Sequence, residues 1–275
     1  MKVALIGCGR VGITLGYFLK KANHLFGIYD RDRKKLHLAL RLLKIKNNPD
    51  YGELIKNSEV LLFATPDDEI LKAYKQARKY IKDKKYLFHC SGLLPAEIFP
   101  KDKFVVRASA HPFATFPVIT LPPLQKKYFL FLQGDKGCQK IARMIFPSKY
   151  FFIRPMKKGK KGLYHLTGVF ASNLLVALGT GIKMMTKKLN WQKNDFYTII
   201  LPLMQQTIDN IKKYGLRKAL SGPIARGDIK TIKAHLQILQ KDPALKEVYR
   251  TLSRLIIPYG PLKAQSHLKK LLKMN

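Results

Sequence analysis

The chain has 275 residues, of which 47% are hydrophobic and 11% aromatic, with 52 basic side chains against 17 acidic ones. A chain of this length and apolar content can bury a sizeable core, and we expect it to fold as two domains. The composition excludes disordered, fibrous and disulfide-scaffold proteins. The formal net charge of +35 would attract polyanions such as nucleic acid or anionic membrane surfaces. Because the lysines are scattered over the whole length, we interpret them as solvated surface charge and expect no specific nucleic-acid partner.

No N-terminal signal peptide is expected, because the apolar stretch after Met1-Lys2 runs directly into a glycine-rich turn. Residues 166–182 carry no formal charge over nearly the length of a membrane span. Small and polar residues interrupt this stretch, so we predict a helix buried within the protein and no membrane partner. The cysteines Cys8, Cys90 and Cys138 are widely spaced, so neither a disulfide framework nor a metal site is indicated. We expect a cytoplasmic protein.

In the first half of the chain, apolar strands alternate with helices. Residues 3–6 form an apolar run that ends in Gly7-Cys8-Gly9-Arg10-Val11-Gly12 and is followed by helical spacing. A second strand at 25–29 ends at Asp30, and a basic helix is predicted from 31 to about 46. Further strands are predicted at 60–64, 86–88, 104–108, 128–132 and 150–153, with a helix at 70–80. Apolar runs without alternation are typical of strands covered on both faces, so we predict an α/β fold with a doubly wound, mostly parallel sheet of the Rossmann type.

Beyond Pro155 the pattern changes. A polar, glycine-containing junction occupies 157–162, and the rest of the chain has the pattern of helices interrupted by Pro202, Pro223, Pro243 and Pro258. We therefore predict a Rossmann domain over residues 1–155 and an all-helical domain for substrate binding and dimerisation over residues 156–275.

The first strand, turn and helix have the spacing of a dinucleotide site. Gly7 permits the sharp turn, Gly9 lets the backbone approach a pyrophosphate, and Gly12 allows close packing of the helix on the sheet. The pyrophosphate would lie on unpaired N–H groups at the positive end of the helix. We therefore predict NAD or NADP as cofactor. The candidate cofactor residues are Gly7, Cys8, Gly9, Arg10, Val11, Gly12, Asp30, Arg31, Arg33, Thr65, Pro66 and Ser91.

The preference between the two coenzymes stays open. Asp30, at the tip of the second strand, can accept both ribose hydroxyls and favours NAD. Arg31 and Arg33 can grip a 2′-phosphate and favour NADP, unless they are simply surface charge at a helix start. In the turn after the third strand, Thr65 and Pro66 are predicted to border the nicotinamide ribose, and Asp67 to serve as a helix N-cap.

Several segments spread over almost the whole chain resemble a family of Rossmann-like proteins with a helical C-terminal domain of unknown function. These segments are Ile6-Gly7-Cys8-Gly9-Arg10-Val11-Gly12, Ala64-Thr65-Pro66-Asp67, His89-Cys90-Ser91-Gly92, Ala110-His111-Pro112, residues 164–173, and Ser221-Gly222-Pro223-Ile224-Ala225-Arg226-Gly227-Asp228 with His235. The resemblance places the chain in the superfamily of pyrroline-5-carboxylate reductase, ketopantoate reductase and the 3-hydroxyacid dehydrogenases. It implies reduction or oxidation of a small acid with NAD(P), usually by a dimer. A shared fold does not identify the reaction that an enzyme catalyses.

Hydride transfer needs a proton donor, a role that suits histidine. His89 and His111 each follow an apolar strand, which predicts loop positions near the cofactor. His165 lies on the first helix of the second domain, with Ser172 and Asn173 on or near the same face. Our order of candidates is His165, His111, His89, and the alternative for each is a purely structural role.

The resemblance also implies a proton-donating lysine on this long helix, followed one turn later by an asparagine. Here His165 occupies the comparable region and Asn173 lies two turns on, so the pattern is not matched, and Lys161 is at best a substitute. Arg226 is our candidate for binding a substrate carboxylate, with Asp228 capping the helix that carries His235. The alternative is that Arg226 pairs with Asp228 for structure alone.

The sequence therefore predicts a homodimeric NAD(P)-dependent oxidoreductase that acts on a small carboxylate-bearing keto or hydroxy acid or a cyclic imine. The substrate is expected to enter between the two domains. The candidate catalytic residues are His165, His111, His89, Asn173, Ser172 and Arg226. The alternative function is a catalytically silent NAD(P)-binding sensor or interaction protein, which would need the glycines but not His165 or Arg226.

Overall fold

The computed structural model describes residues 1–123 and 125–273. Within this part, the chain forms two compact units, Met1–Leu174 and the residues from Leu175 onward. The first unit contains the sheet, and the second is helical.

The first unit is built on a seven-stranded sheet with the order β2-β1-β3-β4-β5-β6-β7. Strands β1 to β5 run parallel, β6 is antiparallel to β5, and β7 is parallel to β6. The predicted Rossmann-type, mostly parallel sheet is therefore confirmed. The strands are β1 (Val3–Ile6), β2 (Leu25–Tyr29), β3 (Val60–Phe63), β4 (Lys85–His89), β5 (Val105–Pro112), β6 (Tyr128–Gly134) and β7 (Phe151–Pro155).

Helices cover both faces of this sheet. They are α1 (Arg10–Lys21), α2 (Arg33–Leu42), α3 (Tyr51–Asn57), α4 (Asp67–Arg78), α5 (Cys138–Ile145) and α6 (Lys161–Ala171). Strand β1 shows the consequence, since Val3 and Leu5 belong to one hydrophobic cluster while Ala4 and Ile6 belong to another. A strand buried on both sides needs apolar residues at every position, and each such large side chain contributes about 2 kcal/mol of stability.

The second unit is described by itself. Its helices are α7 (Asn173–Lys188, which begins just before the division), α8 (Leu201–Ala219), α9 (Pro223–Arg226), α10 (Ile229–Ile238), α11 (Pro243–Ile256) and α12 (Leu262–Leu271). A small core of Ile224, Ile232, Leu236, Ile257, Leu268 and Leu272 holds the later helices together. Pro223 and Pro243 stand in the first turns of α9 and α11, where a missing N–H costs nothing. Pro202 is the second residue of α8, which follows directly on a π-helical turn, Phe196–Ile200.

Three local predictions were wrong. The basic helix is shorter than 31–46. It starts later because the Asp32 carboxylate caps α2 by accepting from the Lys34 and Lys35 amides, and it ends at Leu42, just before Lys44, which has a positive φ of 52°. Asp67 is not an N-cap, because Pro66 holds that position and Asp67 is the first helical residue of α4. Strand β5 runs on to Pro112, so His111 lies within a strand and His89 is the last residue of β4.

The domain boundary stays a prediction. The last strand ends at Pro155, where the sequence analysis places the change to helix, whereas the division into compact units falls after Leu174. Helix α6 is therefore grouped with the sheet.

The apolar segment 166–182 is not buried within its own chain, contrary to our expectation. It belongs to the helical run Lys161–Lys188, the one run in the described residues that is long and apolar enough, by length and composition, to cross a membrane. Only 6% of its most apolar window is buried. Helix α8 has no buried residue at all. These helices leave many apolar side chains exposed.

Candidate functional site

The glycine-rich loop lies at the point where the strand order of the sheet reverses, between β1 and β3. Strands β2 and β3 flank β1 on opposite sides, so the connections after β1 and β3 diverge and leave a crevice at their carboxyl ends. Gly7 has φ +102, and a Cβ there would lie 2.7 to 2.8 Å from backbone atoms of Ala64 and Thr65. A Cβ on Gly12 would overlap the Gly7 carbonyl oxygen. Both glycines are therefore required for the chain to pack at this point.

Gly9 is different, because a Cβ there would meet no atom within 4 Å. It is the N-cap of α1, and no side chain caps the amides that follow it. These amides carry the positive end of the helix dipole. The loop therefore presents open space and free donors together, which suits an anionic group.

A cavity of about 780 Å³ opens in front of this loop, and we call it the larger cavity. The Thr65 Oγ1 atom, on its wall, is buried and has no hydrogen-bond partner among the described residues. A buried hydroxyl without a partner is costly unless a ligand supplies one. The lining residues are Ile6, Gly7, Gly9, Arg10, Val11, Tyr29, Asp30, Arg31, Asp32, Lys35, Ala64, Thr65, Pro66, Glu69, Lys72, Ala73, Gln76 and Ile119.

Eight of the twelve candidate cofactor residues line this cavity, namely Gly7, Gly9, Arg10, Val11, Asp30, Arg31, Thr65 and Pro66. The other four, Cys8, Gly12, Arg33 and Ser91, do not. The Cys8 side chain is fully buried, and burial raises the pKa of its thiol to about 12. Its backbone N–H donates to Asp30 Oδ2 at 2.7 Å, so Cys8 stabilises the loop from the core side and does not line the cavity.

A second polar cluster lies at the carboxyl ends of β3, β4 and β5, and we call it the lysine cluster. Lys161 Nζ donates to the Ser91 carbonyl oxygen at 2.8 Å and to Ser109 Oγ. Ser91 Oγ in turn donates to Asp67 Oδ2 at 2.7 Å. Lys161 is only 6% exposed, and burial lowers its pKa to about 8 against the opposing attraction of Asp67. The sequence signal for Lys161 was weak, since it is one of many lysines ahead of an apolar helix.

The histidines adjoin this cluster. His111 Nδ1 lies 2.7 Å from Tyr164 Oη, and the His111 and His165 rings are 6.1 Å apart between centroids. Burial, aided by the charge of Lys161, lowers the pKa of His111 to about 4, so the ring is neutral at pH 7. A Cβ on Gly92 would overlap the His165 ring and lie 3.0 Å from the His111 ring, so a larger residue there would have to displace these side chains.

His89 has a different environment. It is completely buried, its Nδ1 accepts from the Ser91 N–H at 3.2 Å, and its Nε2 lies 3.1 Å from the Pro95 carbonyl oxygen. Burial lowers its pKa to about 3. With both ring nitrogens bonded to backbone, His89 stabilises the loop that follows β4.

A cavity of about 460 Å³ lies beside the histidine pair, and we call it the smaller cavity. It brings together His111, His165, Ser172 and Asn173, four of the six candidate catalytic residues. The predicted helix face is interrupted, because α6 ends at Ala171 and α7 begins at Asn173. The remaining lining residues are Phe113, Ala114, Thr115, Phe116, Pro117, Gly168, Val169 and Ala171.

The lysine cluster connects the surroundings of the two cavities. Thr65 and Pro66 line the larger cavity, and the next residue, Asp67, accepts from Ser91. Ser91 is followed by Gly92, which packs against His165 of the smaller cavity. The segment after β5 also links the two, since residues 113–117 line the smaller cavity and Ile119 lines the larger one.

In the second unit, Asp228 caps α10 as predicted, accepting from the Thr231 amide at 3.1 Å. Arg226 ends α9 and forms no ion pair with Asp228 in the described structure. His235 Nδ1 lies 2.9 Å from Tyr249 Oη. The catalytic role of Arg226 stays a prediction. Among the described residues, no group of three or more His, Cys, Asp or Glu side chains could hold a metal ion.

Comparison with known families agrees with this architecture. A model of a Rossmann-like domain matches residues 1–117, and a model of a domain of unknown function, DUF2520, matches residues 128–256. The chain is thus similar to Rossmann-like domains over its first part and to DUF2520 domains over its later part. The DUF2520 match begins at β6, so it includes the last two strands of the sheet as well as most of the helices.

Solved structures share the fold of this chain over nearly its whole length. Protein TM1727 from Thermotoga maritima is 26% identical, with a TM-score of 0.66 over 96% of this chain and 99% of that one. BF3122 from Bacteroides fragilis, a candidate NADP oxidoreductase, is 19% identical, with a TM-score of 0.73 over 94% and 98%. Plasmodium falciparum pyrroline carboxylate reductase, solved with NADP bound, is 14% identical, with a TM-score of 0.58 over 99% and 98%.

Proposed function

We propose that this protein is a cytoplasmic NAD(P)-dependent oxidoreductase. The observation that carries the proposal is the uncapped start of α1, which faces a cavity of about 780 Å³ at the point where the sheet changes direction. Similarity in fold to oxidoreductases that bind NADP adds support.

The residues of the larger cavity fit a nicotinamide dinucleotide. The Gly9, Arg10 and Val11 amides would hold the pyrophosphate, since the space at Gly9 is open and the amides are free of side-chain caps. Thr65 and Pro66 would border the nicotinamide ribose, where the unpartnered Thr65 hydroxyl can bond a ribose oxygen. When bound, the nicotinamide supplies or accepts the hydride.

The smaller cavity would hold the substrate, and His165 is our candidate for the proton donor. His165 lines that cavity and is partly exposed, whereas His111 is held neutral and bonded to Tyr164. Lys161 is a positioning residue, because its bonds to Ser91 and Ser109 fix the first turn of α6 on the sheet. A small carboxylate-bearing keto or hydroxy acid or a cyclic imine is our candidate substrate.

We further propose that a second copy of the chain covers the exposed apolar helices. Val176 of α7 is 71% exposed, and α8 buries none of its residues. A lipid bilayer is a poor alternative, because Lys161 and Tyr164 attach the start of α6 to the sheet. The run is also broken at Ser172, whose backbone is not helical, and the 16 residues of α7 beyond this break span about 24 Å, less than the roughly 30 Å of a hydrocarbon core. A homodimer explains the exposure better.

The proposal is tested by calorimetric titration of NADH and NADPH into the wild type and into Gly9→Asp. Aspartate suits an N-cap, so the fold is kept, but its carboxylate would lie where the pyrophosphate binds. Repulsion of about 3 to 4 kcal/mol at such distances predicts a loss of affinity of at least about a hundredfold. Gly9→Asn, which has the same shape without the charge, is the matched control and should lose about tenfold. Unchanged affinity in Gly9→Asp would refute the site.

The enzyme and the catalytically silent sensor predict different effects of His165→Ala. An enzyme should lose turnover and keep its coenzyme affinity. Small keto acids and cyclic imines, screened with the coenzyme that binds more tightly, provide the turnover assay. If no oxidation of the reduced coenzyme occurs with any of them, and binding is intact, the sensor is favoured.

A further inference from the structure

Tyr164 and His111 form a hydrogen-bonded pair beside the smaller cavity. Tyr164, on α6, is only 9% exposed, and its ring lies 4.5 Å from the Phe131 ring and 5.1 Å from the Phe113 ring, between centroids. These contacts fix the position of the phenol hydroxyl, which lies 2.7 Å from His111 Nδ1. The pair thus connects β5 to α6 at the wall of the cavity.

The chemistry of the two groups decides which of them donates. Burial raises the pKa of Tyr164 well above its usual range, so the hydroxyl keeps its proton. Among the described residues, His111 Nδ1 is the one hydrogen-bond partner of this hydroxyl. If Nδ1 were the donor, the phenol proton would be left without an acceptor. The hydroxyl therefore donates, and Nδ1 accepts.

The His111 ring is neutral at pH 7. Burial lowers its pKa to about 4, with smaller contributions from the charges of Lys161 and His165. The titratable groups that face it in the described structure are Lys161, Tyr164 and His165 of α6 and His89 of β4. A neutral imidazole carries a single N–H, and since Nδ1 is an acceptor, this proton is on Nε2.

Nε2 is on the accessible side of the His111 ring. It forms no hydrogen bond to the described residues, and it is not among their buried polar atoms that lack a partner. A Cβ at Gly92 would lie 3.0 Å from Nε2 and overlap the His165 ring, so glycine keeps space beside both histidines. Because both also line the smaller cavity, a ligand there can meet the two rings together.

We propose that Tyr164 is a positioning residue that holds His111 in the Nε2–H tautomer, and that this N–H donates a hydrogen bond to the carbonyl oxygen of the substrate. The inference rests on the proposed oxidoreductase function, with His165 as proton donor. In the reduction, the hydride of the reduced coenzyme adds to the carbonyl carbon, the π electron pair moves to the oxygen, and the oxygen takes the proton of His165. The neutral His111 stabilises the developing charge and keeps its own proton.

This arrangement selects between the candidate substrates. A carbonyl oxygen has two lone pairs, so it can accept from His111 and His165 at once. An imine nitrogen has one lone pair, which the transferred proton occupies. The protein should therefore reduce keto acids in preference to cyclic imines.

The tautomer is tested by NMR of the ¹⁵N-labelled protein without substrate, since long-range ¹H–¹⁵N spectra distinguish protonated from unprotonated ring nitrogens. The sequence has seven histidines, and the signals lost in His111→Asn identify those of His111. In the wild type at pH 7, Nε2 should be protonated and Nδ1 should be a hydrogen-bonded acceptor. In Tyr164→Phe, which keeps the ring packing, the Nδ1 signal should move to that of a nitrogen without a hydrogen bond. A protonated Nδ1 in the wild type would overturn the inference.

The role in the reaction is tested by turnover of keto acids and cyclic imines with the coenzyme that binds more tightly. The amide nitrogen of His111→Gln can replace Nε2, whereas that of His111→Asn lies near Nδ1. With a keto acid, kcat should fall on the order of a hundredfold in His111→Asn and about tenfold in His111→Gln and in Tyr164→Phe, at unchanged coenzyme affinity. Tyr150→Phe, which removes the hydroxyl of another buried tyrosine, is the matched control and should keep kcat within about twofold.

Failure of the inference differs from failure of the proposed function. Equal kcat in Tyr164→Phe and Tyr150→Phe, equal losses in the two His111 variants, or faster turnover of cyclic imines than of keto acids would each overturn the inference and leave the oxidoreductase intact. If the wild type reduces none of the compounds, the proposed function fails, and the role of His111 fails with it whatever its tautomer.

Discussion

Replacement of Lys161 by methionine should change how the stability of the protein depends on pH. Lys161 is 6% exposed, and burial lowers its pKa from 10.5 to about 8. Between these two values the folded protein has released the proton while the unfolded chain still binds it. The free energy of unfolding therefore rises with pH in this window, because the unfolded state binds more protons.

The size of the effect follows from the shift. At 1.36 kcal/mol for each pKa unit, the wild type carries a cost of about 3 kcal/mol below pH 8 that disappears towards pH 10.5. Lys161→Met has no such proton. At pH 7 the variant is relieved of the buried charge but loses the hydrogen bond to the Ser91 carbonyl oxygen, which keeps only the longer bond from Ser109 Oγ at 3.3 Å, at a cost of about 1 to 3 kcal/mol. The two terms nearly cancel there, so the change with pH is the decisive quantity.

The measurement is urea unfolding of both proteins at intervals from pH 7 to pH 10.5. The difference in unfolding free energy, wild type minus Lys161→Met, should increase by about 3 kcal/mol over this range. Other titrating groups are common to both proteins and cancel. Lys160→Met, which removes the neighbouring exposed lysine, is the control and should give a constant difference. A constant difference for Lys161→Met as well would refute the buried, partly deprotonated lysine.

Three further predictions concern acid stability, loop packing and assembly. Because the pKa of His111 falls from 6.5 to about 4, stability should be lost as the pH drops through this range, and His111→Asn should remove up to about 3 kcal/mol of that loss in unfolding titrations. Gly12→Ala should lower the unfolding free energy by about 3 kcal/mol or more, since its Cβ overlaps backbone. Gly162→Ala, in open surroundings on α6, should raise it by up to about 1 kcal/mol. If the proposed dimer forms through α7, Val176→Lys should sediment with a lower average mass than the wild type in analytical ultracentrifugation, and a monomeric wild type would contradict the proposed assembly.

Much of the first unit could be predicted from the sequence because its signals are local. An uninterrupted apolar run such as 60–63 identifies a strand covered on both faces, and the glycine spacing of the first turn identifies a tight loop. In the structure, Gly7 has a positive φ and Gly12 has no room for a Cβ, as the predicted loop requires. The sequence by itself determined these features, since each depends on residues only a few positions apart.

Other features were decided by the tertiary structure. Lys161 meets Ser91 and Ser109, and His111 meets Tyr164, only because the sheet order brings the ends of β4 and β5 beneath α6. These partners lie more than 50 residues apart in the chain, and spacing along the sequence carries no information about such contacts. The histidines look alike in the sequence, but the fold gives them different environments. His89 is bonded to backbone through both ring nitrogens, whereas His165 lines a cavity.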